Sequence, residues 1–148
     1  MSQLTWRSLG TYAIPERPHL LWTPVIDYLS PGKLYKIRVE PASNTDQTWT
    51  PEAGAACTAD GDPKLARKEG ALPLSGVNAG ALIARIGGST ADLVSDKDKT
   101  VVFAVGRHYV FQAPENIKTG ALFLGINDTA QAGVGLVGTL TVTVYDAL

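Results

Sequence analysis

A chain of 148 residues, 45% of them hydrophobic and 18% charged, has enough apolar material for one domain with one core, so a disordered chain is not expected. The net charge is -1 with no block of like charges, which excludes the basic patch that nucleic-acid binding requires. The one cysteine, Cys57, excludes an intramolecular disulfide and a four-thiolate metal site.

Alternation of apolar and polar residues with a period of two recurs along the chain and predicts β-strands. In chain order, the predicted strands cover residues 4–9, 20–28, 34–40, 81–86, 100–105, 108–112, 121–126 and 139–144. Such alternation is typical of antiparallel sheets with one face in water, so Ile83 and Arg85 are expected to face away from Leu82, Ala84 and Ile86.

Turn signals separate these strands, as in Ser30-Pro31-Gly32 and Gly106-Arg107. One short helix is predicted at residues 63–69, inside an irregular polar stretch (41–78) whose length is typical of a functional or mobile loop. The sequence therefore predicts one all-β domain over residues 1–148, an antiparallel sandwich of the jelly-roll or galactose-binding-like kind with about eight strands.

The first residues lack the charged start and long apolar run of a secretory signal, and no apolar stretch reaches the ~18 residues that a membrane span needs. We therefore expect no membrane span and a cytoplasmic location, with export by a signal-free route left open.

A glycine pattern at residues 133–138 matches the dinucleotide fingerprint G-x-G-x-x-G. It precedes a predicted strand, whereas the fingerprint binds pyrophosphate only at the start of a helix, so these glycines are interpreted as part of a loop. The carboxylate pairs in Asp60-Gly61-Asp62 and Asp96-Lys97-Asp98 do not fit a twelve-residue calcium loop and are interpreted as surface loops.

Asn127-Asp128-Thr129 follows a predicted strand and opens a glycine-rich loop. Its carboxylate and amide oxygens suit a hard cation such as calcium, and the same side chains can also cap a turn. Spacing alone favours the turn. It is formally a glycosylation acceptor as well, but modification is not expected without a secretory signal.

Catalysis has little support in the sequence. His19 and His108 are the only histidines, and neither belongs to a recognisable nucleophile motif. Since an unpaired cysteine is usually buried and inert, an enzyme that joins Cys57 to a histidine and a carboxylate is the third-ranked hypothesis.

Four segments in order resemble the PA-I type galactophilic lectins, small bacterial calcium-dependent β-sandwiches. The segment NAGALIARIG (78–87) resembles that family's GALVMKIG, FQAPEN (111–116) its RWVAPNN, GALFLGIND (120–128) its GAITLIYND, and GTLTVTV (138–144) its GSFSVNI. The similarity is strong from residue 78 onward and loose before it. It implies a galactose-binding protein without catalysis that forms homo-oligomers.

The resemblance also implies a site. Asp128 matches the family's aspartate that binds both calcium and sugar, and the backbone carbonyl of Ala132 matches a further calcium ligand. Gly135 and Leu136 stand where the family has two asparagine ligands, which implies weak or lost calcium dependence because calcium takes six to eight oxygens. The predicted metal ligands are Asp128, Ala132 through its carbonyl, and Gln131, and the predicted sugar contacts are Asp128, Asn127, Thr129, Trp49 and Glu69.

Two functional hypotheses follow. The first is a lectin-like carbohydrate-binding protein whose loops 46–62 and 127–135 meet at one end of the sandwich. The second is a degenerate lectin fold that serves as a structural or protein-interaction module, with apolar Leu136 and Val137 in place of polar ligands.

Overall fold

The computed structural model describes residues 5–14, 22–40, 59–62, 79–87, 101–114, 120–127 and 140–148. These residues form nine strands: β1 (Trp6–Ile14), β2 (Trp22–Ile26), β3 (Leu34–Val39), β4 (Asp60–Asp62), β5 (Ala79–Ile86), β6 (Val101–Ala104), β7 (His108–Gln112), β8 (Leu122–Ile126) and β9 (Leu140–Ala147). No helix occurs in the described residues, so none there could cross a membrane. The helix predicted at residues 63–69 lies outside them.

The strands form two antiparallel sheets. Sheet A has the order β1-β9-β3-β7, and sheet B has the order β2-β8-β5, with β4 and β6 both paired to the far edge of β5. Apart from β4, this alternate use of strands by two four-stranded sheets is the jelly-roll arrangement. The predicted fold class is therefore confirmed, with one strand more than expected.

The first strand continues past Gly10 to Ile14, whereas the sequence predicted that it ends at Leu9. A register shift between Ser8 and Gly10 marks a β-bulge, after which β1 pairs with β9 as far as Leu140. A Cβ at Gly10 would lie 2.7 Å from the Tyr12 hydroxyl oxygen, so any other residue there would force the Tyr12 ring to shift. Gly10 therefore lies at a bulge within the strand and does not end it.

Asp60-Gly61-Asp62 is a strand, and the interpretation of this segment as a surface loop was wrong. Asp60 pairs with Ala81 and Asp62 with Ala79, while the Leu82 amide donates to the Ala59 carbonyl at 2.8 Å. Aspartate and glycine are disfavoured in strands, so backbone pairing to β5 holds this segment extended in spite of its composition.

The core lies between the sheets. Sheet A contributes Ile14, Tyr35, Ile37, Val142 and Val144, and sheet B contributes Val25, Leu82, Ala84, Ile86, Leu122, Leu124 and Ile126. The hydroxyl of Tyr12 on β1 donates to the carbonyl oxygen of Val25 on β2 at 2.7 Å and so links the two sheets. The turn at Ser30-Pro31-Gly32 is confirmed by a 3.1 Å bond from the Lys33 amide to the Ser30 carbonyl and by the positive φ of Gly32.

The other face of β5 is buried as well, so the expectation that it faces water was wrong. Ile83 and Phe123 form a second apolar cluster with Trp22 on the outer face of sheet B. Arg85 is fully buried there, with its guanidinium carbon 4.5 Å from the Phe123 ring centre and 4.9 Å from that of Trp22. Two aromatic ring faces accommodate this cation, which explains why a polar residue in the alternation does not mark an exposed face.

Candidate functional site

One end of the sandwich gathers the ends of the strands that carry the predicted site loops. We call it the Asn127 end, and its described residues include Ile14, Trp22, Val39, Asp60, Gly80, Arg107, Asn127 and Leu140. At this end the chain passes from β1 to β2, from β3 to β4, from β6 to β7 and from β8 to β9. The connections 40–59 and 127–140 therefore attach to the same end of the protein.

Asn127 holds the end of β8 against the start of β5. Its amide donates to the Ala81 carbonyl at 2.9 Å, and its carbonyl accepts from the Gly80 amide at 2.8 Å. On the other side of β5, Asp60 pairs with the same Ala81. Asn127 and Asp60 thus flank one residue, and the spacing of neighbouring strands puts their backbones about 10 Å apart.

Asp60 also joins β4 to the turn between β6 and β7. Its Oδ2 accepts from Arg107 Nε at 2.7 Å, and its Oδ1 accepts from the Arg107 amide at 3.2 Å. The two side chains are about half exposed, at 49% and 52%. The Leu82 carbonyl supports the same turn, since it accepts from the amides of Val105 at 2.9 Å and Gly106 at 3.1 Å.

The turn is also bonded to sheet A, because the Val39 amide donates to the Arg107 carbonyl at 2.9 Å. Next to it, Glu40 donates its amide to the Thr141 carbonyl at 2.8 Å and accepts from the Tyr145 hydroxyl at 3.2 Å. Burial, followed by the nearby Glu40 carboxylate, raises the pKa of Tyr145. At the Asn127 end, hydrogen bonds therefore connect the two sheets next to the residues from which the loops start.

Of the predicted site residues, only Asn127 lies in the described part of the chain. It is fully buried, and its backbone fixes strand ends. The remaining predicted sugar contacts and metal ligands lie outside the described residues, as do Cys57 and His19: Trp49, Glu69, Asp128, Thr129, Gln131 and Ala132. No group of three or more His, Cys, Asp or Glu residues that could hold a metal occurs among the described residues.

The Asp60–Arg107 pair was not predicted from the sequence. The Asp-Gly-Asp sequence does not indicate a β-strand. Asp60 and Arg107 are 47 residues apart, and they come together only because β4 and β6 both pair with the same edge of β5. The Gly106-Arg107 turn signal was present, and the positive φ of 68° at Gly106 agrees with it.

The opposite end carries a different charged cluster. Asp146 is buried and accepts from Arg7 through both carboxylate oxygens, at 3.1 and 2.7 Å, with Lys33 Nζ 3.0 Å from Oδ2. The hydrogen bonds from Arg7, with a smaller contribution from Lys33, hold the pKa of the Asp146 carboxyl below its ordinary value of 3.8. The cluster thereby joins the start of β1 to the end of β9, two strands that are distant in sequence.

The outer face of sheet A carries one cation over two rings. Lys36 Nζ lies 4.4 Å from the Tyr145 ring centre and 4.9 Å from that of Trp6. The ammonium lies over both rings, so each ring contributes a face to a cation–π contact within the sheet. Trp22 is buried, and Trp49 lies outside the described residues.

No family model, no curated protein and no solved structure matches this chain. The fold therefore rests on strand order and register, and a functional interpretation has to rest on the residues of the site.

Proposed function

We propose that the protein is a non-catalytic carbohydrate-binding protein of the galactose-binding, lectin-like kind, and that sugar binds at the Asn127 end. The observation that carries the proposal is the shared attachment of the connections 40–59 and 127–140 to that end. These connections contain Trp49, Asp128 and Thr129, which offer an aromatic face, a carboxylate and a hydroxyl. That combination is the chemistry a galactoside needs: an apolar surface for the ring and a few placed polar groups.

In this proposal Asn127 acts through the backbone. Its two hydrogen bonds to β5 fix the direction in which the chain leaves β8, one residue before Asp128. Glu69 and Thr129 are proposed as further polar contacts. A site on loops that start from a rigid strand frame loses less entropy on binding than one on an unsupported chain.

Calcium is proposed as a weak ligand of the same site. Asp128, Gln131 and the Ala132 carbonyl supply at most a few oxygens, fewer than the six to eight that calcium takes, since Gly135 and Leu136 contribute no side-chain ligand. We expect a dissociation constant for calcium of about 1 mM or weaker.

Calorimetric titration with methyl galactoside, with and without calcium, tests the proposal. We expect binding in the range of about 0.1–5 mM, abolished by Asp128→Asn and unaffected by Asp27→Asn, a matched change at an exposed carboxylate of the opposite end. The absence of heat from millimolar sugar under both conditions contradicts the carbohydrate proposal. Retention of full binding by Asp128→Asn contradicts the assignment of the site.

A protein-interaction module is the second candidate function. The exposure of Tyr109 and Val110 on the edge strand β7 favours it. Co-purification of a stoichiometric protein partner together with a failure to bind galactosides would support this candidate over the first.

A further inference from the structure

The two sheets have four edges, and these edges differ in how they are protected against pairing with another chain. Unpaired edges normally carry a bulge, a proline, a charge or a very short strand. On β1 the bulge at Ser8 and Gly10 interrupts the edge, on β2 Pro24 lacks an amide proton, and the far edge of β5 carries only the short strands β4 and β6. Strand β7 has none of these devices.

The sequence of β7, His-Tyr-Val-Phe-Gln, contains no proline, glycine, lysine, arginine or carboxylate. Tyr109 is 39% exposed and Val110 is 40% exposed, and His108 and Gln112 are exposed as well. Among the described residues, β7 pairs only with β3. An accessible edge of high β-propensity and low charge is typical of a strand that pairs with another strand.

The hydrogen-bonding register shows which groups of β7 face outward. The Arg107 carbonyl and the Ala113 amide both bond to β3, to Val39 and Lys33 respectively. Because bonding directions alternate along an antiparallel strand, Tyr109 and Phe111 also point their backbone groups towards β3. The amides and carbonyls of His108, Val110 and Gln112 then point to the free edge.

We propose that a second copy of this chain pairs with that edge, β7 against β7 in antiparallel orientation, with the two-fold axis at Val110. This register brings the two copies of Val110 together as a hydrogen-bonded pair and sets each His108 opposite a Gln112. All six outward amides then find carbonyl partners, and the two A sheets become one continuous eight-stranded sheet. The proposal stands independently of carbohydrate binding.

Side chains agree with this register. On the core side of the sheet each Tyr109 comes opposite a Phe111 of the other copy, a favourable cross-strand aromatic pair, and no two like charges meet within the strand. These rings are already held in place, because Phe103 lies 5.5 Å from Tyr109 and 5.2 Å from Phe111, centre to centre. Fixed rings lose little further freedom when they pair.

A five-residue strand edge buries less than the ~1,200 Å² of a stable interface, so the dimer is expected to be reversible, with a dissociation constant of roughly 10–100 µM. Sedimentation velocity over about 5–500 µM should show a monomer–dimer equilibrium. Val110→Lys puts two ammonium groups opposite each other at the two-fold axis and should weaken the dimer at least about tenfold. Ala13→Lys, the same charge on the bulged edge strand β1, should leave it unchanged.

Hydrogen exchange tests the register. At high concentration the amides of His108, Val110 and Gln112 should become protected, whereas those of Tyr109 and Phe111 should be protected at every concentration because they bond to β3. Circular dichroism of Val110→Lys should match the wild type, which separates loss of pairing from loss of folding. A wild-type monomer throughout the range, or a dimer whose His108, Val110 and Gln112 amides exchange freely, overturns the proposal.

Discussion

Asp60 and Arg107 form an ion pair that joins the extra strand β4 to the turn between β6 and β7, with 2.7 Å between Oδ2 and Nε. The Asp60 carboxylate also restricts which residue can occupy position 106 in this turn. A Cβ at Gly106 would lie 2.6 Å from Asp60 Oδ1, and Gly106 has a φ of 68°, which other residues rarely adopt.

Gly106→Ala should therefore destabilise the protein by about 1–2 kcal/mol from the backbone conformation, with an added cost from the clash with Asp60. Asp60→Ala alone should cost less than about 1 kcal/mol, because the ion pair is half exposed. Urea unfolding of both variants and of the double variant measures the coupling. The Gly106→Ala change should cost less when Asp60 is already alanine, and strict additivity would contradict a clash between them.

Asp146→Asn should lower stability at neutral pH and change its response to acid. The folded pKa of Asp146 lies below its unfolded value, so the carboxylate stabilises the native state above the unfolded pKa, and this contribution is lost as the pH falls through the folded pKa. We expect the melting temperature of the variant to be about 2–4 °C lower at pH 7. The stabilities of the two proteins should converge once the pH falls below the folded pKa of Asp146, where the carboxylate is protonated. Melting curves from about pH 2 to about pH 7 test this, and a constant difference would contradict it.

Lys36→Met should lower stability by about 0.5–1 kcal/mol, since methionine keeps the apolar contact with Trp6 and Tyr145 but removes the cation above their rings. Arg38→Met is the matched control, because Arg38 lies two residues away on the same outer face and is exposed. Chemical denaturation of both variants measures the difference. Equal losses would indicate that only the net charge matters.

Arg85→Met and Phe123→Leu should show a coupling energy of about 1 kcal/mol in a double-mutant cycle, because the guanidinium packs on the ring in a buried environment. A second cycle between Arg85→Met and Phe111→Leu serves as a control. Phe111 lies on β7 in sheet A, so its effect should add to that of Arg85 within about 0.5 kcal/mol. A coupling no larger than in the control would contradict the stacking interpretation.

Much of the fold could be predicted because apolar and polar residues alternate over residues 35–39 in β3 and 140–144 in β9, and clear turn signals separate the strands. Errors occurred where tertiary contacts override local preference. Gly10 continues a strand through a bulge, Asp60 joins a sheet through its backbone, and Arg85 is buried between rings. None of these outcomes depends on neighbours in sequence, so no local pattern indicates them.

The candidate site was less predictable. The spacing of Asn127 after an apolar strand indicated a strand end, which is where Asn127 lies. That Asp60 would stand on the other side of Ala81 depends on β4, which the sequence did not predict. The contacts assigned to Trp49, Glu69, Asp128, Thr129, Gln131 and Ala132 remain predictions.

The pairing of β1 with β9 has a consequence for the time course of folding. Trp6 lies beside Ala147, so one strand pair of sheet A joins residues from the two ends of the described chain. In the part of the chain that the structure describes, β1 pairs with β9 alone, so during synthesis this pairing waits until β9 has left the ribosome. Strand β3 also lacks one of its two neighbours until then. Pairing between strands so far apart in sequence slows folding, because closing the long loop costs conformational entropy before the strand contacts that offset this cost can form. Sheet A is thus completed only after translation has passed residue 147, and β1 lacks its β9 partner until then.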